Sequence, residues 1–168
     1  MTRRHIHYEL AFEDYLRCLG LAYISVDQAK KAIFAGAKIK SFDFLVYTDT
    51  GDNRLIDVKG RRFPYAAGSS RRYWENWVTQ ADLDGLTRWQ EVFGPGYTAT
   101  IVFAYWLSSS SKPGPLEPLH SFAGRNYSFL EIPLLDYKAH ARPRSTRWTT
   151  LSVPAKIFRQ LARPFAAQ

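Results

Sequence analysis

The chain of 168 residues is poor in sulfur, with one cysteine, Cys18, and one methionine. A single thiol excludes an internal disulfide and lacks the companions of a cysteine-rich zinc site. Cys18 therefore reads as a helix residue without a chemical role. Histidine is scarce too. His5 and His7 stand two apart with no further His or Cys at ligand spacing, and His120 and His140 are isolated, so zinc is not expected. No motif for a hydroxyl or thiol nucleophile is present. Acids are outnumbered, 15 against 23 Lys and Arg, leaving a formal charge of +8 that favours a partner made of phosphates. Long apolar runs are missing as well. "IVFAYWL" (Ile101–Leu107) is far too short to cross a bilayer, and the basic start "MTRRHIHYE" has no apolar segment behind it. A soluble, cytoplasmic protein without a membrane partner is expected. Nothing repeats and no segment is of low complexity, so residues 1–168 read as a single domain.

What is there begins with "HYELAFEDYLRCLG". Tyr8, Phe12, Tyr15, Leu16 and Leu19 recur at three- and four-residue steps, which predicts an amphipathic helix stopped by Gly20. A short strand near Ala22–Val26 and a short helix over "DQAKKAIFAGAKIK", ending near Gly36, follow. "SFDFLVY" alternates like a strand, "TDTGDN" turns, and "RLIDVK" returns, which predicts an antiparallel hairpin. "FPYAAGSSRRYWENW" has no period and reads as a loop with a helical tail. "TQADLDGLTRWQEVFG" is a clear helix in which Thr79 caps and Asp82 closes a capping box. "TATIVFAYWL" is apolar on both faces and reads as a central strand. "NYSFLEIP" and "RWTTLSV" are further strands, and "PAKIFRQLARPF" is a closing helix with Pro154 in its first turn. The fold class is α/β, with a core over about residues 8–107 and a C-terminal extension of strand and helix.

Charge inside the predicted hairpin calls for an explanation. Asp57 and Lys59 sit at alternate positions of a strand, hence on one face, although strand interiors disfavour both. Asp43 lies on the facing strand and can point the same way. Two carboxylates and the Val58 carbonyl between Asp57 and Lys59 suit a hard cation such as magnesium, with manganese as the alternative. Such an ion can lower the pKa of water and offset charge on a phosphodiester. Lys59 then stands beside the water or the phosphate, as a base, an orienting group or an electrostatic stabiliser. The plain alternative is an exposed cross-strand ion pair.

The order of a helix bearing Glu, a strand bearing Asp and then "DVK" on the next strand resembles the PD-(D/E)XK nucleases, and within them the Holliday-junction-resolvase-like members. The resemblance runs from about Tyr8 to Leu107. It implies a restriction-endonuclease-like mixed β-sheet flanked by helices. It further implies that Asp43, Asp57 and Lys59 form the catalytic centre, with a helix Glu assisting the metal. Phe42 stands where the name-giving proline would be, and Asp57 is the Asp variant of the second acid. Two helix acids are available. Glu9 falls about 20° beyond Leu16 and Glu13 about 60° beyond it, so Glu9 borders the packed stripe and is preferred, with Glu13 the rival. Gln80, at the first turn of the next helix, resembles the polar residue that such nucleases place near water or phosphate, or is a surface helix former.

Around this centre "GRR" adds Arg61 and Arg62, and "SSRRYWENW" adds Arg71, Arg72, Trp74 and Trp77, for phosphates and for stacking on a base. The tryptophans are equally compatible with a minor core. Arg142, Arg144 and Arg147 form another basic segment, either a phosphate-facing surface or an ordinary solvated face. The function expected is a metal-dependent deoxyribonuclease, with a structure-selective endonuclease as the narrower form; the alternative is a non-catalytic nucleic-acid-binding protein on a nuclease-like scaffold. DNA is the expected partner, while RNA and a homodimer stay open.

Overall fold

The computed structural model describes residues 6–26, 32–34, 37–63, 74–108 and 118–166. Arg71 and Arg72 lie outside the described residues. Helix α1 (Ile6–Cys18) forms where the apolar period runs, burying Tyr8, Ala11, Phe12, Tyr15 and Leu16. It ends at Gly20, whose φ of 70° is left-handed, with the Leu21 N–H bonded to the Leu16 carbonyl and the Gly20 N–H to that of Arg17. That pair of bonds is the Schellman stop, and it makes glycine the natural residue there.

Strands β1 (Tyr23–Ser25), β4 (Phe44–Val46), β5 (Asn53–Phe63), β7 (Tyr97–Leu107), β9 (Arg125–Pro133) and β12 (Arg163–Pro164) lie side by side in that order, and β8 (His120–Phe122) also pairs with β9. All neighbours are antiparallel except β5 and β7, which run parallel in register from Asn53↔Tyr97 to Phe63↔Leu107. A parallel pair needs a long crossover, and here it contains β6 (Val78–Thr79) and helix α2 (Gln80–Phe93). The capping box of α2 is present as expected, with Thr79 and Asp82 each bonded to the other's backbone N–H. Strand β7 is paired on both sides and buried from Ala99 to Tyr105, the central strand that its composition predicts.

The sheet separates two apolar layers. On one side α1 covers Phe44, Ile56, Val58, Val102 and Phe129. On the other, α2 and the short helices α3 (Leu134–His140) and α4 (Ala155–Leu161) enclose Leu55, Phe63, Ile101, Phe103 and Tyr105. A second sheet of three strands, β10 (Arg142–Ser145), β11 (Thr150–Ser152) and β6, ties the C-terminal part to the start of α2.

Two expectations change. Where residues are described, the helix expected before Gly36 is instead a two-stranded ladder of β2 (Ala32–Phe34) and β3 (Ala37–Ile39). An alanine-rich stretch of this length is marginal as a helix without an amphipathic face to bury. The helical tail expected after the loop is extended chain from Trp74 to Trp77, leading into β6.

Candidate active site

The site is built at the place where β4 parts from β5. Their ladder runs Val46↔Arg54, Leu45↔Leu55, Phe44↔Ile56 and stops. Asp43 is a bend residue, and its N–H reaches back to the Ile56 carbonyl, one place off the ladder register. The break explains why Phe42 packs with Leu45 on the α2 side although simple alternation would send it to the α1 side with Phe44. It also leaves the Val58 N–H without a strand partner, and Asp43 Oδ2 accepts it at 2.6 Å. In an extended strand the N–H and C=O of one residue point to the same edge. The Val58 carbonyl therefore leaves on the edge that faces Asp43.

Alternation along β5 puts Asp57 and Lys59 on the α2 face with Leu55 and Phe63. Asp43 and Asp57 are both buried, at 3 % and 5 % exposure. The Lys59 ammonium stands 2.7 Å from Asp57 Oδ2 and 3.0 Å from Asp82 Oδ1. The contact with Asp57 is off-line for a hydrogen bond, so Oδ2 has a close charge but no directed donor among the described residues. Burial alone would lower the Lys59 pKa. The two carboxylates outweigh it and hold the ammonium charged, above the usual lysine range. Asp82 responds in the opposite sense: burial opposes its charge, but Lys59 and Lys40 keep its carboxyl well below the usual range.

Glu9 completes the acidic group from α1. Burial raises its pKa first, Asp57 raises it further, and Lys59 opposes both. Asp43 is pushed well up by burial, then by Asp57 and Glu9, with the Val58 N–H and Lys59 pulling the other way. Three buried or half-buried acids thus repel one another around one lysine that Asp82 also claims. Such an excess of negative charge, with an undirected carboxylate oxygen inside it, is what a divalent cation relieves. The donors are hard oxygens, as magnesium or manganese requires. Among the described residues, Glu9, Asp43 and Asp57 do not close as a trio to within 4.8 Å of one another.

Glu13, the rival helix acid, is engaged elsewhere. It is paired with Arg17 at 3.1 Å and accepts from the Tyr23 hydroxyl at 2.9 Å. No protein-family model matches the chain, and no curated protein matches it. Among solved structures, a Holliday junction resolvase named Hjc, from the archaeal hyperthermophile Archaeoglobus fulgidus, is similar over 93% of each chain, with a TM-score of 0.52 and 12% identity. The fold is similar to that of this resolvase. It is the restriction-endonuclease-like α/β arrangement, a mixed sheet flanked by helices, that the order of Glu9, Asp43 and "DVK" implied.

On this resolvase-type fold the basic residues separate into two kinds. Arg62 is exposed and stands over the Trp106 ring, 5.2 Å from its centroid. Arg142, Arg144 and Arg147 are exposed on β10 and the turn after it. Arg61, expected among the phosphate ligands, is 7 % exposed and points inward, because it shares the face of Asp57 and Lys59. Its guanidinium donates to the Gly60 and Trp77 carbonyls and lies 4.1 Å over the Trp77 ring. Trp74 is likewise a core residue, stacked on Phe63 and edge-on to Tyr105, with both centroids at 4.7 Å. Neither side chain is placed to meet a nucleic acid.

Gln80 opens α2, exposed, with its side chain bonded to Asp84 at 2.8 Å. The sequence reading missed Asp82 as a site residue. Its capping role was visible, and the choice of Asp over the longer Glu was the available signal. One oxygen, Oδ2, serves the cap at Thr79 while the other, Oδ1, holds Lys59 and Lys40. Trp148 was also overlooked. It stands 65 % exposed in the turn between β10 and β11, with Arg147 over its ring.

Proposed function

We propose that the chain is a divalent-metal-dependent deoxyribonuclease that hydrolyses phosphodiester bonds, and that it is a structure-selective endonuclease acting on branched DNA. The observation that carries the reading is the group of buried Asp43 and Asp57 with half-buried Glu9 and Lys59, assembled where β4 leaves β5. Asp43, Asp57 and the Val58 carbonyl would hold magnesium or manganese, with Glu9 in the outer shell. When bound, the cation supplies Lewis-acid chemistry, lowering the pKa of a water and offsetting charge on the phosphate. Lys59, positioned by Asp57 and Asp82, offers a fixed positive charge to the scissile phosphate or its attacking water. Asp82 acts through Lys59 as a positioning residue.

The DNA surface runs from this edge over the β10–β11 hairpin. Thr79, the cap of α2, pairs with Thr150, and the Gln80 N–H bonds the Thr149 carbonyl. The hairpin that presents Arg142, Arg144, Arg147 and Trp148 is therefore joined to the helix that holds Asp82 against Lys59. Arginines fit phosphates, and an exposed indole beside them fits an unpaired base. The similarity to a Holliday junction resolvase supports a branched substrate over linear duplex.

The test is cleavage of linear, nicked, single-stranded and four-way-branched DNA, with and without magnesium. Branched DNA should be cut fastest, and chelation should abolish cutting. Salt-sensitive binding without cleavage under any divalent ion would overturn the nuclease reading in favour of a binding scaffold. Equal cutting of all substrates would overturn the selectivity alone.

A further inference from the structure

Cys18 and His120 stand isolated in the sequence, and the fold brings them together. Along α1, Asp14 and Cys18 are four residues apart and so lie on one side of the helix. From 102 residues further on, β8 brings His120 to that side, with Nε2 2.8 Å from Asp14 Oδ2. One carboxylate oxygen, the Cys18 sulfur and one imidazole nitrogen all lie within 4.8 Å of one another. No other trio of Asp, Glu, His and Cys among the described residues meets that condition. The group is also separate from the nuclease acids, since Asp14 and Cys18 lie about 140–180° around α1 from Glu9.

We propose that Asp14, Cys18 and His120 form a second metal site, one that takes zinc. A thiolate and an imidazole are borderline-soft ligands, which suit zinc and exclude magnesium. Ligand atoms around tetrahedral zinc are about 3.3–3.8 Å apart, given metal–ligand bonds of about 2.0–2.3 Å. The trio reaches that geometry with shifts of about an ångström. The Asp14–His120 contact opens from 2.8 Å, and the sulfur, within 4.8 Å of both, closes in by at most about 1.5 Å. The imidazole starts already oriented, with the Tyr15 and Phe129 rings at 5.2 and 6.1 Å. Three protein ligands leave a fourth position for water, and Cys18 is exposed, so an ion has a way in. Binding releases the thiol proton to solvent and ties α1 to the β8–β9 hairpin.

The single cysteine makes the test clean. Metal-free full-length protein is titrated with cobalt(II), a spectroscopic stand-in for zinc. A thiolate-to-cobalt charge-transfer band should grow to saturation at one cobalt per chain and be displaced by zinc. Because Cys18 is exposed, Cys18→Ser should fold normally and lose the band. His120→Gln and Asp14→Asn should each weaken cobalt at least about tenfold. Asp57→Asn should keep the band, which separates this site from the acids of β5 whether or not the protein cuts DNA. Zinc should raise the melting temperature of the wild type and not that of Cys18→Ser. Absence of the band in folded wild type would overturn the proposal. So would saturation at half an equivalent with dimer formation, meaning thiols shared between two copies. So would unchanged affinity in both His120→Gln and Asp14→Asn, which would reduce the binding to a bare thiol.

Discussion

The two faces of β5 obey opposite rules although they alternate along one strand. On the face toward α1, Ile56 and Val58 pack on apolar side chains. Of the two charges there, Arg54 is matched by Glu131 at 2.6 Å, and Arg62 stands exposed over the Trp106 ring at the far end of the strand. Gly60 lies close under α1, and a Cβ there would fall inside the Tyr8 ring. On the face toward α2, Asp57, Lys59 and Arg61 follow one another, and the acids gathered around Lys59 exceed the cations that answer them. The first face is packed, and its buried charge is matched. The second crowds acids that oppose one another's ionisation, which is the usual mark of a site that binds something.

Lys59→Ala breaks the charged face most severely. Single-turnover cleavage at saturating enzyme should fall about a hundred- to a thousandfold. DNA binding, followed separately by fluorescence anisotropy, should change little, since the exposed arginines remain. A normal cleavage rate in a folded variant would remove Lys59 from the chemistry.

The packed face should break next, and for steric reasons alone. Gly60→Ala forces a methyl group into the Tyr8 ring and should cost about 1–3 kcal/mol, read from urea unfolding. Combining it with Tyr8→Leu should recover part of that loss. Additive losses would show that Tyr8 is not the obstacle.

The balanced pair on this face makes a prediction about pH. Burial pushes the Glu131 carboxyl up to about 7, and Arg54, although close, opposes the shift without overcoming it. The folded state then binds more protons than the unfolded chain between pH 4.5 and about 7. Stability should therefore fall as pH rises through that window, by at most about 3 kcal/mol. Glu131→Gln should flatten the slope in melting curves taken across it. Conversely, an unchanged slope would assign the effect to other groups.

The smallest expected effect sharpens the comparison most finely, because it sets adjacent arginines against each other. Arg62→Ala should leave stability unchanged and reduce the salt slope of DNA affinity by about one. Arg61→Met should instead lower stability by about 2 kcal/mol, through the buried carbonyls that it leaves unbonded. If Arg61→Met matched the wild type in stability and altered only DNA binding, its structural assignment would fail.

These contrasts explain what was legible in the sequence. Periodicity revealed α1, the hairpin, α2 and β7, because each buries a regular apolar face that leaves its trace locally. The alternation of Asp57 and Lys59 was equally local, and the role proposed for them came from the resemblance to nucleases. Arg61 was misread, and Trp74 was left open between base stacking and the core, because their partners come from elsewhere: Trp77 for the one, Phe63 and Tyr105 for the other. Asp82 reaches Lys59 across 23 residues and Lys40 across 42, distances at which no spacing rule operates. His120 meets Asp14 across 106. Helix α3 gives little signal, being seven residues long and starting straight after Pro133 without a side-chain cap.

Strand β12 has a consequence for how copies of the chain can associate. It lies along β9 through Arg163↔Glu131 and Pro164↔Leu130, while β8 occupies the other end of the same margin. A proline has no N–H to offer a newcomer, so this border of the sheet is a poor template for another chain. At the opposite border, β1 is three residues long, and among the described residues no strand lies beyond it. A dimer formed by joining the two large sheets at a border would be steered to that short margin. A chain cut before Arg163 would uncover the longer one and invite the protein to self-associate.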